Sequence, residues 1–109
     1  MGLTYADISS KFTKNSGVKN IVAYVENGVV FIYVRLNASA TGVVTVQLSD
    51  LAYAPRVISL GVYASTSTVN DMNKYIASNI SNEGVISIWL KEPLLYEESI
   101  AFTYPLKRS

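Results

Sequence analysis

The chemistry this sequence can offer centres on one tryptophan and the residues that a hairpin would set around it. Trp89 is the sole tryptophan of the chain. It lies in the stretch 72–91, where two period-two runs flank Ser81-Asn82-Glu83-Gly84. Asn82-Glu83-Gly84 suits a short hairpin loop whose glycine takes the left-handed conformation and closes a bulge. That loop pairs Ser81 with Val85, Asn79 with Ser87, Ala77 with Trp89 and Tyr75 with Lys91. One face then carries Tyr75, Ala77, Asn79, Ser87, Trp89 and Lys91. The other carries Ile76, Ser78, Ile80, Ile86, Ile88 and Leu90, a core face with one small hydroxyl. A slip of one residue would mix the two sets, so the apolar pattern selects the register. The indole is expected on the polar face, opposite an alanine too small to cover it. Sugars are bound by this combination: the CH-rich face of a pyranose stacks on an aromatic ring while amides, hydroxyls and charged groups take its hydroxyls. Trp89, Asn79, Ser87, Tyr75 and Lys91 are the expected ligand-binding set. The competing expectation for a lone tryptophan is a core or subunit contact. A cleft between subunits would satisfy both.

Other chemistries have little to stand on. The chain has no cysteine and no histidine. Disulfides, zinc–thiolate sites, thiol catalysis and any Ser-His-Asp arrangement are excluded within it. Glu97 and Glu98 are adjacent, and adjacent strand residues point to opposite faces, so they cannot converge as a glycosidase pair. With Glu92 nearby they read as a solvated loop. Asp50 and Asp71 are expected in turns, where aspartate accepts hydrogen bonds from the backbone. Arg35 and Arg56 read as strand-end or link residues. No catalytic residue, metal or cofactor is expected. The formal net charge is +1 and basic residues are scattered singly, Lys107-Arg108 being the one adjacent pair, which speaks against a nucleic-acid groove. No apolar run approaches the roughly 20 residues needed to cross a bilayer, so membrane insertion is not expected.

The elements that must position Trp89 are strands. Valine, isoleucine, threonine and tyrosine recur with period two, and no useful window repeats at 3.6. Strands are expected over 18–26, 29–36, 43–48, 57–65, 72–80, 85–91 and 99–104. Asn27-Gly28 is the strongest hairpin signal in the chain. Gly61, in the middle of 57–65, marks a bend or close approach. Residues 37–42 form a small polar loop and 50–55 an irregular link. The regular spacing of strands and turns implies an all-β antiparallel barrel or sandwich, Greek-key-like, with little or no helix. Residues 1–17 are expected to be an N-terminal entry segment, a linker or neck remnant in which 5–8 is an entry strand or a short turn, with 18–105 the β-barrel domain and 106–109 a tail. Met1-Gly2 and Arg108-Ser109 resemble cloning remnants, so a domain cut from a longer protein is expected, its missing part N-terminal. Val29, Phe31 and Tyr33 oppose Val30, Ile32 and Val34, so strands are apolar on both faces, and an outer face is expected to meet another copy.

The order of features in the second half carries a resemblance. Gly42-Val43-Val44-Thr45-Val46-Gln47-Leu48 leads into Leu51-Ala52-Tyr53-Ala54-Pro55-Arg56. A strand follows, then Gly84-Val85-Ile86-Ser87-Ile88 and the close Phe102-Thr103-Tyr104-Pro105. Over residues 18–105 this resembles the receptor-binding heads of lactococcal siphophages and related tail-tip proteins of phages of Gram-positive bacteria. The resemblance implies a β-barrel, a homotrimer at the tail tip or baseplate of the virion, and non-catalytic binding of a host cell-surface saccharide. It also implies attachment to other baseplate proteins through the N-terminal part. In such heads a tryptophan stacks on the ligand, helped by an acidic residue, a histidine and an arginine. Trp89 matches the tryptophan. Asn79 stands where the acid would be, Ala77 where the histidine would be, and Ala101 near the arginine. The other expectations are a structural domain that only trimerises, or a carbohydrate-binding module of a bacterial enzyme.

Overall fold

The computed structural model describes residues 4–64 and 69–106, and in it alternating side chains build two antiparallel sheets packed face to face. The strands are β1 (Tyr5–Asp7), β2 (Phe12–Thr13), β3 (Val18–Glu26), β4 (Val29–Leu36), β5 (Gly42–Leu48), β6 (Ser59–Leu60), β7 (Val62–Tyr63), β8 (Tyr75–Ile80), β9 (Val85–Leu90) and β10 (Glu98–Pro105). The first sheet has the order β1-β3-β4-β10-β7 and the second β2-β5-β9-β8-β6. The two sheets remain separate, so the fold is a sandwich and the closed barrel is not formed. Every edge strand is only two or three residues long, which leaves little unpaired backbone to template aggregation.

Period two explains the core. In the first sheet Ala23, Val25, Ile32, Val34, Ile100 and Phe102 point inward, and in the second Val44, Val46, Ile80, Ile86 and Ile88 meet them. Asn27 and Gly28 both take positive φ, +53° and +81°, which is the two-residue turn whose twist matches the β3–β4 pair. A register shift between Val18 and Asn20 adds one residue to β3, so Lys19 stays outside while Val18 and Ile21 are both buried.

Four expectations change. Residues 5–13 of the entry segment belong to the sandwich and not to a linker, and of the two expectations for 5–8 the entry strand is the one formed. Tyr5–Asp7 pairs with β3, Phe12–Thr13 pairs with β5, and Ile8 between them is fully buried. The start of the run expected as a strand over 72–80 is instead part of a 3-10 helix, Val69–Lys74, and the strand begins at Tyr75. Glu98 is not solvated: it opens β10 opposite Leu36, fully buried. The strand expected over 57–65 is broken at Gly61, and residues 65–68 lie outside the described residues.

That break is the crossover of the sandwich. β6 pairs with β8 in the second sheet and β7 pairs with β10 in the first, so the chain changes sheets at Gly61. The Gly61 N–H donates to the Ser78 carbonyl at 3.0 Å. A Cβ at this position would collide with Ser78 Oγ and lie 2.6 Å from Phe102 Cε2. Glycine is required here by space, because strand backbone passes directly over an inward aromatic ring. Gly61→Ala should therefore lower folding stability by about 1–3 kcal/mol, the usual cost of overpacking a core. Urea unfolding measures this, and an unchanged midpoint would show that the crossover has room to spare.

Candidate functional site

The β8–β9 hairpin sets the site. Ser81 N–H donates to the Val85 carbonyl at 2.9 Å, Gly84 N–H donates to the Ser81 carbonyl at 2.9 Å, and Gly84 has φ +79°. Asn82-Glu83-Gly84 is thus the short loop with a left-handed glycine. Its register pairs Ile80 with Ile86, Asn79 with Ser87, Ser78 with Ile88 and Ala77 with Trp89. Ile80, Ile86 and Ile88 are buried between the sheets, which turns Asn79, Ser87 and Trp89 to the outer face. Trp89 is half-buried there. Its other strand neighbour is Val43 on β5, which is 55% exposed.

The register does not run to the end as the sequence pattern implies. Between Tyr75 and Ala77 it shifts, so Tyr75 faces Leu90 and not Lys91. The bulge turns Tyr75 toward the core, where its hydroxyl lies 2.6 Å from Ser78 Oγ and its ring meets Tyr63 at 5.7 Å. Ile76 is turned out in its place, 57% exposed. Tyr75 therefore leaves the candidate set and Ile76 joins its margin. A bulge does this because one extra residue reverses the alternation that follows it. Lys91 lies just past β9, exposed, with its N–H donating to the Lys74 carbonyl at 2.9 Å. Trp89, Asn79 and Ser87 share the outer face, on adjacent rows, with Thr45 of β5 beside Ser87.

A cleft of about 630 Å³, which the sequence does not signal, opens beside them. Its walls are the 15–17 and 37–41 loops, and Asn15, Ser16, Asn37, Ser39, Thr41 and Glu97 supply amides, hydroxyls and one carboxylate. Val43 lines it too, and so stands between the cleft and the indole. Two cations hold Glu97: Arg35 Nε lies 2.9 Å from Oε1 and Lys19 Nζ 3.2 Å from Oε2. Hydrogen bonding to Arg35 and then Lys19 keeps its carboxyl below the ordinary range.

The only fully buried carboxylates among the described residues are Asp71 and Glu98. The contacts of Asp71 are with the backbone and one lysine. Asp71 accepts N–H bonds from Leu95 at 3.0 Å and Tyr96 at 2.9 Å, with Lys74 Nζ 3.6 Å away. This ties the loop after β9 to the 3-10 helix before β8. Asp50 plays the expected turn role in the same way, accepting from Ala52 N–H at 3.1 Å.

No protein-family model matches this chain, and a search of the curated proteins finds no match either.

The Asp71 carboxyl can be tested by pH. Burial opposes its ionisation, but hydrogen bonds from Glu98, Leu95 and Tyr96 and the charge of Lys74 outweigh it, and the net shift is downward from the ordinary 3.8. A depressed folded-state value means the carboxylate stabilises the fold above its unfolded value and stops doing so as pH falls through the folded one. Asp71→Asn should cost about 1–3 kcal/mol at pH 7, since one amide oxygen cannot replace two acceptors. Urea unfolding at several pH values should find the gap between wild type and variant narrowing below about pH 4. A gap independent of pH would assign the loss to packing alone.

Proposed function

We propose that this domain is the receptor-binding head of a bacteriophage tail protein, a non-catalytic module that recognises a saccharide on the host cell wall during adsorption. The observation that carries the reading is the half-buried indole of Trp89 on the outer face, beside the small Ala77 and one row from Asn79 and Ser87. An indole held by its strand but open on one side offers a flat apolar surface to the CH face of a pyranose. Asn79 and Ser87 supply an amide and a hydroxyl at the range where a sugar's hydroxyls would fall. Lys91, exposed just past β9, completes the set.

The resemblance to lactococcal siphophage heads supplies the setting: a virion protein at the tail tip, joined to other baseplate proteins through a preceding N-terminal part. Asparagine and alanine where those heads carry acid and histidine make stacking and neutral hydrogen bonds the main contacts in this reading. A homotrimer belongs to it. The outer face of the first sheet supports self-association, since Val22, Tyr33 and Val62 stand in or near one cross-strand row, 49%, 39% and 63% exposed. Three weak sites on one head, repeated over a baseplate, multiply into firm adsorption.

The same apolar row favours a second reading, a tail domain that only trimerises. Titration of solubilised Gram-positive wall polysaccharide against Trp89 fluorescence separates the two. The saccharide reading expects a saturable change in emission. Trp89→Ala should weaken binding roughly tenfold or more, a loss of about 1.4 kcal/mol or greater, and Asn79→Ala by a smaller factor. Ultracentrifugation should find the Trp89→Ala oligomer unchanged. No response to wall glycan supports the structural reading, and an oligomer that Trp89→Ala dissociates makes the tryptophan an interface residue.

A further inference from the structure

We propose that the cleft between the 15–17 and 37–41 loops is a second subsite of the Trp89 surface, so that the domain binds a chain of two or more sugar units and not a single one. This rests on the saccharide reading of Trp89 and extends it. The two regions are contiguous. Val43 lines the cleft and is the direct β5 partner of Trp89, and both side chains stand on the outer face because Val44 and Ile88 fill the inner one. Side chains directly opposite on antiparallel strands lie roughly 5 Å apart, so a ligand leaving the indole passes over Val43 into the cleft.

The cleft has the build of a ligand site. Its volume of about 630 Å³ falls within the roughly 300–1,000 Å³ typical of small-molecule pockets. Its walls are fixed in advance by backbone hydrogen bonds. Ser39 N–H donates to the Leu94 carbonyl at 2.8 Å, Leu94 N–H to the Ala40 carbonyl at 2.9 Å, and Asn37 N–H to the Gly17 carbonyl at 2.9 Å. Leu94 is itself buried, so it anchors the 37–41 loop to the core. Ser39 holds φ +72°, a conformation costly for a residue with a side chain, and such strain collects where a loop must present a group in one direction. Gly17 lies close over Val44, where a Cβ would come within 3.0 Å of Cγ2. The opposite wall can therefore approach β5 closely.

The donor set selects the class of ligand. Among the described residues the hydroxyls of Ser16, Ser39 and Thr41 enter no hydrogen bond, while Asn15 and Asn37 spend one donor each, on Thr45 Oγ1 and the Ser16 carbonyl. The one charge, on Glu97, is already met by Arg35 and Lys19. Neutral hydroxyls and amides answered by a compensated carboxylate suit a polyhydroxylated, uncharged ring better than an ionic group. A stacking surface leading over an aliphatic lip into such a cleft suits consecutive sugars of one chain.

The test compares wall-polysaccharide fragments of one to six sugar units by calorimetry and by amide chemical shifts. The proposal expects affinity to rise roughly tenfold from one unit to three or more, with amide shifts at Gly17, Ser39, Thr41 and Val43 appearing only with the longer fragments. In the double variant, Ser39→Gly tolerates the left-handed backbone and Thr41→Val keeps the side-chain shape, and together they remove both hydroxyls. It should lower affinity for the longest fragment roughly tenfold and abolish those shifts. Fragments that perturb Trp89 equally at every length, with no shift in the cleft, would overturn the second subsite and leave the Trp89 site standing. If no fragment of any length alters Trp89 emission, both fail together.

Discussion

The site depends on how β8 lies against β9, and that depends on a single left-handed residue. Gly84 at φ +79° closes the hairpin so that Ile80 meets Ile86 and Ser78 meets Ile88 on the inner side. Because side chains alternate with period two, this same register puts Trp89 on the outer side. A slip of one residue would drive the indole into a core filled by Ile80, Ile86, Ile88 and Phe102, and would expose isoleucines to water. The hydrophobic cost of that exchange, about 25 cal/mol per Å² of apolar surface, keeps the strand pair in register. The outer position of Trp89 therefore draws its rigidity from the core beneath it.

The remaining geometry arises where the regular alternation is interrupted. Gly61 passes the chain from one sheet to the other over the Phe102 ring. The bulge at Tyr75 exchanges a tyrosine for an isoleucine on the outer face. Asp71, buried with both oxygens bonded to the backbone N–H groups of Leu95 and Tyr96, holds the loop that follows β9. That loop in turn holds Ser39 and Ala40 through Leu94. The indole, the polar cleft and the compensated Glu97 are thus gathered at one end by a chain of hydrogen bonds that begins in the core.

Much of this was legible without coordinates. The β3–β4 hairpin follows from Asn27-Gly28 and its bounds from alternation, and both match the strands observed. The outward set Ala77, Asn79, Ser87 and Trp89 follows from the glycine at 84 and the isoleucine pattern. The outward place expected for Tyr75 fails because a bulge leaves no mark in hydrophobic period: tyrosine and isoleucine both fit either side of a half-covered strand. The solvated place expected for Glu98 fails for a related reason. A carboxyl beside two other acids reads as solvated, and only its burial next to Asp71 reveals otherwise. The cleft had no local signal, since its walls come from segments some twenty and more residues apart.

Sequence alone determined the all-β class, the hairpin register from the turn as far as Ala77 and the side of the sheet on which the tryptophan stands, because these rest on turn chemistry and on a period-two pattern that is local. Tertiary structure decided that the sheets stack as an open sandwich, that residues 5–13 supply an edge strand to each, and that Gly61 carries the crossover. It also decided which loops meet beside Val43 to form the cleft. Those outcomes depend on contacts between segments distant in the chain, and no short-range preference of the residues involved encodes them.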